Sequence, residues 1–388
     1  MLLYGAKIYT MEEKGIIENG WIQIESGKIV AIESGDCPVD YEGKRVDLSG
    51  RLVYPGFIDA HSHLGMWEDS LNFEGDDGNE ETSPCTPHLR AIDAINPQDK
   101  CFGEALAAGV TTVITGPGSA NPIGGQMVAL KTFGRRVDDM IVRSPLGVKF
   151  ALGENPKSVY NEKNQTPMTR MGTAAVIREQ LFRAREYLDQ LEKSKTEEDA
   201  DAPEFDIKCH SLIPLLKREI KAHFHAHRAD DIFTAIRIAK EFGLDYCIVH
   251  CTDGSRIADT LAQEKAEVLC GPILCDRSKP EMSALTTKTP LDLVKNGVDT
   301  AIITDHPVIP AQYLILCAAL AVKAGLNEEA ALRAITTVPA KICGIDNRVG
   351  SIKVGKDADL VVFEQNPLRC YADPCAVVCD GRLVYGGK

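Results

Sequence analysis

Short apolar runs recur through the middle of the chain, at 110–114, 148–152, 220–224, 246–249, 268–269 and 300–303. Helical patterns such as 230–242 and 310–325 follow them. Apolar runs of that length read as strands buried on both faces, and strand-then-helix repetition builds parallel βαβ units. Sustained over roughly 290 residues, the alternation fits a (β/α)₈ barrel better than an open sheet. No G-x-G-x-x-G or Walker lysine opens the first unit, so the glycine-rich stretch 116–126, GPGSANPIGGQ, reads as a shaped loop, with Gln126 a candidate substrate contact.

The two ends are written differently. Residues 21–25 alternate apolar and polar, Ser26-Gly27 turns, and 28–32 follows in the same style. Residues 360–363 and 376–379, with Asp380-Gly381 before 382–384, repeat it at the far end. Neither end alone is long enough to bury a core. The expected organisation is therefore a small β-sandwich domain built from 1–55 plus 346–388, around a barrel spanning 56–345.

Composition narrows the function. Lys plus Arg is 43 against 56 for Asp plus Glu, a net charge of −13, which disfavours nucleic acid. With 44% apolar and 26% charged residues, the chain is ordinary for a soluble enzyme acting on small molecules. The longest apolar run, at 313–322, is half of a membrane span, and the start lacks a basic leader region. Thirteen cysteines, an odd number without C-x-x-C spacing, read as reduced core thiols in a cytoplasmic protein, with Cys251 beside His250 the one placed to line a site.

The histidines carry the chemistry. Nine placed at random give about 0.2 His-x-His pairs; the chain has three, at 61/63, 223/225 and 225/227. Strand residues two apart share a face, so each pair can reach one ion together. His61 and His63 end the first barrel strand, His225 and His227 a later one, His250 the next, and Asp305-His306 the last, all on the face where barrel active sites sit. Imidazole with carboxylate is a zinc-type donor set. His223 falls deeper and reads as structural, while His88 and His210 have no motif around them.

With PGFIDAHSH at 55–63, histidines at 225 and 250, Asp305 and the closing GSIKVGKDADLVVFE at 350–364, the chain resembles the amidohydrolase superfamily along essentially its whole length. Within it the chain is similar to metal-dependent hydrolases related to imidazolonepropionase, in a little-characterised subgroup with GENPK (153–157) and HAHRADDI (225–232). The resemblance implies two zinc ions, with iron or manganese as alternatives. His61, His63 and Asp305 would hold one, and His225 and His250 the other, with His227 possible in place of His225. It also implies a bridging carboxylate, either Glu154 or a carboxylated Lys149, with Glu154 the expectation because it needs no modification. Metal-activated hydroxide would attack a C–N bond, with Asp305 as general base.

His227, Arg228 and His306 are candidate substrate contacts. The related deaminases carry a carboxylate three residues after the fifth-strand histidine, where this chain has Arg228. That argues against deamination and leaves Arg228 either to meet a substrate carboxylate or to form a helix-start salt bridge with Asp230 or Asp231. A ring deaminase and a non-catalytic binding protein are the alternatives. Loops 64–90, 116–126 and 155–170 would choose the substrate, and a homo-oligomer is expected.

Overall fold

The computed structural model describes residues 1–69 and 71–386. Of the expected segments, 64–90 contains Ser70 and 346–388 contains Gly387 and Lys388, which lie outside the described residues. Strands β1 (Leu2–Tyr9), β2 (Ile16–Glu25), β3 (Lys28–Ser34), β4 (Arg45–Asp47) and β5 (Leu52–Pro55) open the chain. Then come β6 (Phe57–Ser62), β7 (Val110–Thr115), β8 (Ile123–Lys131), β9 (Ile141–Ala151), β10 (Lys221–Ala226), β11 (Tyr246–His250), β12 (Glu267–Cys270) and β13 (Thr300–Ile302). The last three are β14 (Leu360–Phe363), β15 (Ala376–Cys379) and β16 (Arg382–Gly386).

The outer strands form one sheet in the order β16-β15-β14-β5-β1-β2-β3, with β4 beside β1. Its seam is the antiparallel pairing of β5 with β14, Tyr54 opposite Val361, which joins the two ends of the chain. The strands expected to form a β-sandwich are thus linked by hydrogen bonds into one sheet, whose two ends share a core. Each end presents an unpaired strand edge, and the two edges satisfy one another's backbone groups instead of forming separate sheets. Ile8, Ile22, Ile29, Val53, Leu360 and Val378 pack as its core.

Strands β6 to β13 form the second sheet in sequence order, giving a TIM-barrel-like α/β fold. The barrel closes between its last and first strands through residues near both ends. Ile302 N–H donates to Ala334 O (2.9 Å) and Ile58 N–H to Ile335 O (2.8 Å). At the other end Asp305 N–H donates to His61 O (3.2 Å) and His63 N–H to His306 O (2.8 Å). One strand departs from the (β/α)₈ expectation: β8 runs antiparallel to both β7 and β9. The stretch read as a loop at 116–126 therefore ends inside a strand. Gly124 and Gly125 hid it, because they add no side chain to the alternation, yet the strand requires the second of them. A Cβ on Gly125 would sit 2.6 Å from the Leu89 carbonyl oxygen.

Strand β10 shows how the barrel presents its chemistry. Ala222, Phe224 and Ala226 pack outward against Ile232, Ala235 and Ala239 of the helix Ala229–Phe242. The alternate residues His223, His225 and His227 take the other face, as a period of two demands. That helix stops at Gly243, whose φ of 66° is the left-handed cap that glycine adopts without strain. Buried Lys131 on β8 ties barrel to outer sheet through Asp357 (3.0 Å), Asp380 (3.2 Å) and Asp359. All thirteen cysteines are free and eight are buried, Cys251 among them. No helix among the described residues is long and apolar enough to cross a membrane.

Candidate metal centre

Two groups of buried donor atoms meet at the C-terminal strand ends: His61, His63 and Asp305, and His225, His227 and His250. In the first, Asp305 Oδ1 lies 3.5 Å from His61 Nε2 and 3.4 Å from His63 Nε2. In the second, the His225 and His250 rings are 4.4 Å apart, and His227 stacks on His250 at 4.5 Å. The His61 and His250 rings approach to 5.6 Å, so the groups share one floor.

Backbone acceptors orient the ring donors. His63 Nδ1 donates to Gly116 O (2.7 Å) and His250 Nδ1 to Gly271 O (2.8 Å). A carbonyl only accepts, so Nδ1 carries the proton and Nε2 presents a lone pair to the centre. Burial keeps His61, His225, His227 and His250 neutral, the ligating form. His250 is pushed down to about 4, and His61, His225 and His227 lie well below the ordinary value. For Asp305, burial alone would raise the carboxyl, but His250, His63 and Lys149 outweigh it and hold it below its usual range. His250 (φ 77°) and Asp305 (φ 57°) occupy the left-handed region, at about 1–2 kcal/mol each for residues other than glycine. Such strain gathers at sites that the surrounding fold holds rigid.

Lys149, on β9, is fully buried with its Nζ 3.1 Å from His61 Nε2. Burial pushes this lysine down to about 8. Glu154, expected to bridge, belongs to neither donor group. Strand β9 ends at Ala151, Gly153 turns with φ 88°, and Glu154 becomes the first residue of the helix Glu154–Glu162. Its backbone N–H donates to Glu281 Oε2 (2.9 Å).

The expected substrate contacts separate. His227 lines the cleft over the centre, its Nδ1 2.7 Å from Thr252 Oγ1. Arg228 does not line it and forks onto Asp230 at 3.0 and 2.8 Å. Gln126, on β8, is also absent from the wall and donates its N–H to Leu89 O. His306 is buried with its Nδ1 accepting from Ala311 N–H (3.2 Å), likewise off the wall. Two wall or floor residues were not singled out from sequence. Glu281 is buried, its Oε1 lacking a hydrogen-bond partner and standing 3.8 Å from His227 Nε2 and 4.0 Å from His225 Nε2. Lys279 lines the cleft beside it. Both lie in the irregular segment after β12, where no periodicity gives a signal.

The cleft holds about 800 Å³, the size of a small-molecule site. All three expected loops contribute to its wall, through Trp67 and Glu81, Gly118 and Ser119, and Asn155 and Val159. A barrel that gathers neutral imidazoles and an ionised carboxylate beneath such a cleft is the scaffold of a metal-dependent hydrolase. The chain belongs to the amidohydrolase family, whose family model matches residues 52–384. It is 42% identical to an amidohydrolase from Thermotoga maritima MSB8, whose crystal structure matches with a TM-score of 0.95 over 100% of both chains. Amidohydrolase tasK of Hapsidospora irregularis is 29% identical over 94% of this chain, which spans 39% of that protein's length. Imidazolonepropionase of Fusobacterium nucleatum subsp. nucleatum is 25% identical, covering 92% of this chain and 88% of its own.

Proposed function

We propose that the barrel, residues 56–345, hydrolyses a C–N bond of a small amide, cyclic amide or dipeptide-like substrate with the help of two divalent ions, zinc by the chemistry of the donors. The observation that carries this reading is the pair of facing donor groups with buried Lys149 against one of them. Donors around a four-coordinate zinc stand about 3.3 Å apart, and Asp305 Oδ1 lies 3.4 and 3.5 Å from its two imidazole neighbours. His225 Nε2 is buried and unpartnered, a cost that a cation would remove.

His61, His63 and Asp305 would hold one ion, and His225, His227 and His250 supply donors for the other. Lys149 replaces Glu154 as the bridge. A neutral amine adds to carbon dioxide and releases one proton, giving an N-carboxylate, and a lysine depressed to about 8 is neutral often enough to react. When bound, the ions polarise the substrate carbonyl and make water more acidic. Asp305, ionised and at the centre of the donors, takes a proton from the attacking water and returns it to the leaving amine.

The test is turnover of dipeptide, N-acyl amino acid and lactam panels by metal-loaded protein, with and without chelator. We expect chelator-sensitive hydrolysis in at least one panel, and loss of roughly a thousandfold in Asp305→Asn, the size of a missing general base with its ligand role. Hydrolysis unaffected by chelator, or none in any panel, overturns the reading. Glu281 favours a second one. A buried carboxylate beside His225 and His227 could move protons on a ring, and ammonia release from a nucleobase panel would select deamination instead.

A further inference from the structure

The wall of the cleft is acidic, with Glu68, Asp69, Glu81 and Asp276 facing it, yet one lysine, Lys279, lines it as well. Its Nζ donates to the Asn155 side-chain oxygen, and Asn155 Nδ2 donates onward to Ser119 Oγ at 2.6 Å. The two bonds fix which way the Asn155 amide faces, and they join three segments: the turn after β7, the start of the helix Glu154–Glu162, and the stretch after β12. Holding a lysine this way sacrifices much rotamer freedom. The side chain it donates to is a neutral amide, so the hydrogen bond positions the ammonium without neutralising it.

We propose that Lys279, oriented by Asn155 and Ser119, binds the free carboxylate of the substrate, which makes the substrate an N-acyl amino acid or dipeptide and not a neutral amide or lactam. This rests on the reading of the centre as an amide hydrolase. It gives Lys279 the role that the sequence suggests for Arg228, whose guanidinium is already forked onto Asp230 outside the cleft.

The experiment pairs each N-acetyl amino acid and dipeptide with its C-terminal amide, and measures kcat/KM for wild type, Lys279→Met and Lys279→Arg, all metal-loaded. Equal metal content in the three proteins shows that the centre is intact. A charge-assisted hydrogen bond predicts a preference for the free acids of about tenfold or more. That preference should fall towards one in Lys279→Met and be retained largely in Lys279→Arg. Equal rates on acids and amides in wild type, or an undiminished preference in Lys279→Met, overturns the proposal. If no compound turns over, hydrolysis of these amides fails as a reading, and calorimetric titration with the same acids decides the carboxylate site by itself. Binding that weakens about tenfold or more in Lys279→Met supports it, and equal binding or none overturns it.

Discussion

Lys149 puts an amine 3.1 Å from His61 Nε2 with both side chains fully buried. Left as an ammonium beside two would-be cations it would be repelled, whereas as an N-carboxylate it would complete their ligands. We therefore expect Lys149→Ala to retain at most one ion and to lose at least about a hundredfold in rate, while Glu154→Gln keeps the full complement. Metal analysis of the two variants checks this. The pH dependence follows from the same residue. Its pKa is depressed, so the reactive neutral form grows as pH rises through about 8. Reactivation of stripped protein by metal at a fixed concentration of dissolved carbon dioxide should start roughly twentyfold faster at pH 8.5 than at pH 6.5, and rates independent of pH would contradict it. His61, His63, His225, His250 and Asp305 were legible in the sequence because strand periodicity puts them on one face at one height. Glu154 stands outside both donor groups, because a glycine turn ends that periodicity just before it.

Strand β8 was the least legible element, since two glycines interrupt its pattern, and at Gly125 neighbouring backbone leaves no room for a side chain. Gly125→Ala should destabilise by about 1–3 kcal/mol, because its Cβ would meet the Leu89 carbonyl at 2.6 Å. Gly103→Ala is the contrasting case. It sits within the helix Lys100–Ala107 with nothing within 4 Å of an added Cβ, and should stabilise by about 0.5–1 kcal/mol. Thermal melts of both variants read the difference. Lys131, at the other end of β8, joins the barrel to the outer sheet. Lys131→Met leaves Asp359 buried without its cation, while Asp357 keeps Lys28 and Arg348, at an expected cost of about 3–5 kcal/mol. An unchanged denaturant midpoint would show that this cluster does not hold the two sheets together.

Across the whole molecule, the alternation of apolar runs and helical patterns revealed the barrel, and matching strand-rich ends revealed that the termini meet. The single outer sheet was not legible, because sequence shows which strands have edges but not that β5 pairs with β14. The segment after β12 was equally silent, and it carries Lys279 and Glu281. What the barrel sheet supports is a floor of two facing donor groups. The metal content of protein purified without chelator or histidine tag, read by plasma mass spectrometry, tests that floor directly. We expect close to two ions per chain, falling to one or fewer in Lys149→Ala. A value near zero that persists after reconstitution with zinc and bicarbonate would contradict the proposed centre.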